Sequence, residues 1–193
     1  MPAEVTGALE LRKALKEYAP FLAKESQKEL SGILRPITAK ARGFMPSNDD
    51  VPSGWLKREN AGGRWANRYY DQAAARRGIT FSAAPSKANR KGFRSLAAIY
   101  NKSAAGAIYE TAGRKNPGGQ PWNPSSSSKK YSHSKNPNAG RHFINSLGAL
   151  EGRGMMKGRA IFKAWEQDQG KAYGGIIKAV DSTLRSYERT AKK

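Results

Sequence analysis

Tyr173, Ile177, Val180, Leu184 and Tyr187 recur at intervals of four, three, four and three residues. An α-helix, with about 3.6 residues per turn, lines such positions up on one side, so the chain must close with an amphipathic helix whose stripe turns toward a core. A looser version of the same period opens the chain. Leu11, Leu15, Tyr18, Leu22, Leu30, Ile33, Ile37 and Ala41 fall mostly three or four apart and predict a long N-terminal helix over residues 8–42. Pro20 and Pro36 lie inside it; each lacks an amide donor and crowds the preceding turn, which predicts a kink or a break. Gly43 is a natural stop.

Between these helices the pattern changes. Met45 to Gly63 carries Pro46, Pro52, Gly54, Gly62 and Gly63 with Asn48, Asp49 and Asp50, the chemistry of a turn-rich loop. Trp65 to Arg77 predicts a short helix. Gly78 then opens Ile79, Thr80, Phe81 and Ser82, a first strand, and Phe93 to Tyr100 is a second, with Ala84 to Gly92 as the hairpin loop between them. Ser103 to Ala112 is small and alanine-rich, with Ser103 placed to cap the start of a helix and Gly113 to end it. Phe143 to Leu150 predicts another short helix, and Arg159 to Trp165 (RAIFKAW) a third strand. These elements predict an α+β fold: a long N-terminal helix, a small antiparallel sheet of three to four strands, and a C-terminal amphipathic helix. A chain of 193 residues buries roughly 70% of its unfolded surface, so one domain over 1–193 is expected. Arg114 to Gly140 has four prolines, the run Ser125 to Ser128, no acidic residue and no period. It reads as a flexible basic arm over 114–142.

The charge narrows the partners. Thirty-five Lys and Arg against fifteen Asp and Glu leave a formal +20, and self-repulsion of that size favours a polyanionic neighbour, nucleic acid or an acidic protein face. The bases are spread from Arg12 to Lys193 rather than gathered on one helix, which argues against a membrane surface, and no apolar run approaches the ~20 residues of a membrane span. The start, Met1 to Glu4, lacks an export signal, which leads us to expect assembly in a reducing cytoplasm.

Chemistry is scarce. With no cysteine there is no disulfide, thiolate or sulfur-ligated metal. His133 and His142, nine apart without nearby acid, do not compose a metal site. Ser125 to Ser134 beside His133 offers residue types for a nucleophile without a rigid scaffold. Asp49 and Asp50 sit in turn sequence, and GRKNPGG (Gly113 to Gly119) lacks the Lys-Ser or Lys-Thr of a phosphate loop. No catalytic residue, metal ligand or cofactor site is therefore expected. The candidate contacts to DNA or to neighbouring subunits are Arg114, Lys115, Lys129, Lys130, Lys135 and Arg141.

The basic N-terminal helix, the Pro-Ser-Gly-Trp-Leu loop (Pro52 to Leu56), AGAIYETAGRKN (Ala105 to Asn116) and GRAIFKAW (Gly158 to Trp165) before an amphipathic helix together resemble a family of siphophage proteins. That family is the neck or tail-completion (head-tail joining) proteins of long-tailed bacteriophages. The resemblance implies a non-enzymatic virion subunit assembled in the host cytoplasm. It implies copies forming a ring, a hexamer, around the genome channel. Its neighbours would be connector or stopper and tail-terminator or tail-tube proteins, with genomic double-stranded DNA in the channel. It carries over no catalytic residue, and the arm is where this chain departs from the family. The alternative from the residues alone is a stand-alone basic nucleic-acid-binding protein.

Overall fold

The computed structural model describes Lys13, Lys16, Glu17 and residues 20–56, 69–128 and 130–191. In order they form α1 (Pro20–Gly43), a 3-10 turn (Ser53–Trp55), α2 (Gln72–Gly78), β1 (Ile79–Ser82), β2 (Ala98–Asn101), α3 (Ala104–Thr111), α4 (Ala139–Ser146), β3 (Glu151–Arg153), β4 (Met156–Gly158) and α5 (Ile161–Ala191). The α+β class holds. The single sheet of three to four strands does not: β1 pairs with β2 and β3 with β4, giving two separate two-stranded antiparallel sheets.

Two compact units divide the chain: Met1–Ala39 with Phe81–Tyr100 and Gln167–Lys193, and Lys40–Thr80 with Asn101–Glu166. In the first, α1 packs on α5. Leu30, Leu34 and Ala83 are buried together, and Phe81, Leu96, Ile99 and Ile176 pack against them. Each large aliphatic group so placed contributes roughly 1.5–3 kcal/mol. Pro36 stands inside α1, which continues through it to Gly43 rather than breaking. The part of the expected helix before residue 20 lies, apart from helical Lys13, Lys16 and Glu17, outside the described residues.

The stripe read from the C-terminal sequence is not the buried one. Ile177 is 58% exposed and Leu184 38%, whereas Ala172, Ala179 and Thr183 are buried and Ile176 joins the Leu30 cluster. The buried line, 172, 176, 179, 183, keeps the helical spacing one residue earlier, a rotation of about 100°. Size explains the choice. A Cβ on Gly175 would stand 3.1 Å from Ile33 Cδ1, so the small face of α5 lets α1 approach to a distance the larger side chains would forbid.

The second unit is organised by aromatic and polar contacts. Trp55 lies 5.0 Å from the Tyr70 ring and meets Phe143 edge-on at 5.1 Å. Tyr70 is fully buried and donates its hydroxyl to Pro46 O at 2.8 Å, while its amide donates to Trp55 O. Burial raises the Tyr70 phenol above its ordinary value. Asp71 caps α2 by accepting from Ala74 N at 2.6 Å. Asp50 serves its turn, accepting from Ser47 N and Ser47 Oγ, bonds that hold its carboxyl below the usual range. The helix expected from Trp65 is present only over Gln72–Gly78, residues 57–68 being outside the described set. That expected at Phe143–Leu150 starts and ends earlier, at Ala139–Ser146. The strand expected from Arg159 to Trp165 is instead the beginning of α5.

Candidate interaction site

Ser103 begins α3 as the sequence predicts, its hydroxyl accepting from Gly106 N at 3.2 Å. Gly113 follows the helix with φ +84°, the left-handed conformation that glycine adopts without strain. Gly106 leaves room for Asn101, whose side chain would lie 2.2 Å from any Cβ there. Glu110, the penultimate residue of α3, is 4% exposed and reaches the amides at the start of α5. It accepts from Ala160 N at 2.7 Å, Ile161 N at 3.1 Å and Phe162 N at 2.9 Å. These are donors a helix cannot satisfy internally, and the negative charge sits at the positive end of the helix dipole.

Arg159 closes the arrangement from the other side. It is 4% exposed and donates to Gly148 O, Tyr109 O and Ala112 O, each at 2.8 Å. Burial pulls its pKa down while Tyr109 and Glu110 pull it back up, and a guanidinium stays charged throughout. Burial likewise raises the Tyr109 phenol, against the opposing pull of Arg159. Gly158 is obligatory, because a Cβ there would come within 2.0 Å of Glu110 Oε1. AGAIYETAGRKN and GRAIFKAW, some fifty residues apart, thus form one clasp in which each supplies what the other lacks. This explains the failed strand: an extended RAIF would strand the Glu110 carboxylate, whereas a helix start satisfies it.

Beyond the clasp, Arg114 donates to Lys157 O and lays its guanidinium over the Phe162 ring at 4.9 Å. Its Nε is shielded from solvent and has no hydrogen-bond partner. Arg114 lines a cleft of about 640 Å3 together with Lys115, Lys130, Gln120, Ile144 and Met155, and among the described residues no acidic side chain lines it. The arm closes on itself. Ser132 N donates to Pro121 O, Asn123 N to Ser132 O and Trp122 Nε1 to Ser134 O. At its base the backbones of Gly119 and Gly140 cross so closely that a Cβ on Gly119, whose φ is +80°, would stand 2.4 Å from Gly140 C. Gly119→Val should therefore open the arm. Left-handed strain alone costs about 1–3 kcal/mol, so trypsin cleavage after Lys130, Lys135 and Arg141 is expected to accelerate about tenfold or more; an unchanged rate would refute the crossing as the latch.

Of the residues expected to make contacts, the fold brings Arg114, Lys115 and Lys130 to one cleft. Lys135 and Arg141 are exposed but do not line it, and Lys129 lies outside the described residues. His133 and His142 are both exposed, and among the described residues no three His, Cys, Asp or Glu side chains gather as a metal would require. Sequence reasoning missed Glu110 and Arg159 as a pair. A signal was present, since Glu110 is the one acid in a small, apolar helix and Arg159 leads directly into Ala-Ile-Phe, and a charge so placed needs partners when buried. No family model, curated protein or solved structure matches the chain.

Proposed function

We propose that the chain is a non-enzymatic structural subunit of a long-tailed bacteriophage virion, assembling as a ring of copies in the head-tail neck or tail-completion segment. The observation that carries this reading is the second apolar line on α5. Ile177 and Leu184, seven residues apart on the same side, stand outside the chain's own core on a protein of charge +20. A stripe of that kind is covered when copies associate, and a ring repeats the covering interface until it closes. The clasp supports it too, because the buried Glu110 and Arg159 direct their bonds to the chain's own backbone rather than to an open site. The cleft around Arg114 offers positive charge to an acidic face of an adjoining ring or to DNA in the channel.

Particles made without this chain should accumulate filled heads and free tails that do not join. Full-length protein should form discrete rings in electron micrographs, and Ile177→Lys with Leu184→Lys should leave folded monomers by light scattering. Wild-type protein that stays monomeric even when mixed with isolated heads and tails, or that cleaves plasmid DNA with a metal, would overturn the reading.

A further inference from the structure

The loop joining β1 to β2 is a finger whose shape is held by its own hydrogen bonds. Ser86 N donates to Ser95 O at 2.8 Å, and Ser95 N returns a bond to Ser86 Oγ at 2.9 Å. Nearer the tip, Asn89 N donates to Phe93 O and Gly92 N to Asn89 O, both at 2.9 Å. The Asn89 side chain fastens the turn from within, its Oδ1 accepting from Lys91 N at 2.9 Å and Phe93 N at 3.0 Å. Gly92, at φ +78°, takes the left-handed position the turn needs.

The backbone of this turn is thus held by the loop's own groups, and its long side chains are left to solvent. Lys87, Arg90, Lys91 and Arg94 are all exposed, and among the described residues none of them is paired with a carboxylate. No acidic residue occurs anywhere between Asp71 and Glu110. Phe93, in the middle of the cations, is 57% exposed. A large ring kept in water at the end of a highly charged finger gains nothing for the fold, so its burial must come from a partner. Four exposed cations flanking one exposed aromatic ring in sequence is the combination that meets nucleic acid: the cations follow the phosphates, and the ring takes a base face or wedges into a groove.

We propose that residues 86–95 form a nucleic-acid-binding finger, in which Lys87, Arg90, Lys91 and Arg94 contact backbone phosphates and Phe93 contacts bases. It shares no residue with the Arg114 cleft, and it does not rest on the neck reading, since a monomer would carry the same finger. Contact with phosphates alone gives no sequence preference.

The test is fluorescence anisotropy of the full-length chain with a labelled DNA duplex and the matching single strand across a salt series. One variant carries Lys87→Gln, Arg90→Gln, Lys91→Gln and Arg94→Gln. A control variant loses the same charge from α5 through Lys171→Gln, Lys178→Gln, Arg185→Gln and Arg189→Gln, all exposed positions. Each phosphate contact contributes about 0.9 to the slope of log affinity against log salt on duplex, so the finger variant should lose about 3–4 of slope while the control keeps most of it. Phe93→Ala should weaken the single-strand complex about tenfold to a hundredfold with little change in slope, and the duplex complex less unless the ring wedges into a groove. Equal losses in the finger and control variants would mean that diffuse charge does the binding, and would overturn the proposal, as would a finger variant that binds like wild type. Matching melting curves by circular dichroism exclude misfolding, and ring formation scored separately by light scattering keeps the neck reading distinct.

Discussion

Replacing Glu110 by alanine should destabilise the protein by about 3–5 kcal/mol, because three buried backbone donors lose their acceptor at about 1–3 kcal/mol each. Two losses combine. The amides of Ala160, Ile161 and Phe162 lose their acceptor at the start of a 31-residue helix, and the buried Arg159 guanidinium loses the favourable charge of the Glu110 carboxylate. For a chain of this size each kcal/mol moves the melting midpoint by about 2–4 °C, so a fall of about 6–20 °C is expected by calorimetry. Glu110→Gln keeps an acceptor for the amides but not the charge, and should lose about 1–2 kcal/mol. Gly158→Ala is the complementary probe, since it leaves every charge in place and only fills the space Glu110 Oε1 occupies. If Gly158→Ala melts like wild type, the clasp is not the contact that seats α5.

The second large effect is expected from Arg159→Met. Methionine fills a comparable apolar volume but donates nothing, so the carbonyls of Tyr109, Ala112 and Gly148 lose their donor together. A buried group left unpaired costs about 1–3 kcal/mol, and the joint loss should again fall near 3–5 kcal/mol. The informative measurement is the double variant. Because the two charges attract each other across the same junction, Glu110→Gln with Arg159→Met should be less destabilised than the sum of the two by about 1 kcal/mol or more. Strict additivity in denaturant melts would show that the two side chains act independently.

Local chemistry made part of this fold legible. Ser103, small Ala104 to Ala107 and Gly113 bound α3 through interactions inside a dozen residues, and Ile79 to Ser82 is rich in strand formers beside a turn, so both were readable without knowing their neighbours. RAIFKAW misled for the converse reason. Its residues tolerate a strand, and what makes it helical is a carboxylate from position 110, invisible to any local window. The contact site divides the same way. Arg114 and Lys115 are adjacent in sequence, whereas Lys130, Ile144 and Met155 join them only in the folded chain.

By itself the sequence determined that α-helices flank a short-stranded middle, that no cysteine is present, and that positive charge prevails over most of the length. Those properties depend on residue type and near spacing, which a linear chain carries openly. Tertiary structure alone decided which side of α5 is buried, since helical periodicity gives two apolar lines one residue apart and only the fit of Ile33 over Gly175 selects the small-residue one. It also decided that Glu110 and Arg159 are structural: whether a buried charge holds the fold together depends on which backbone groups lie within hydrogen-bond reach, and those are set by chain segments fifty residues away.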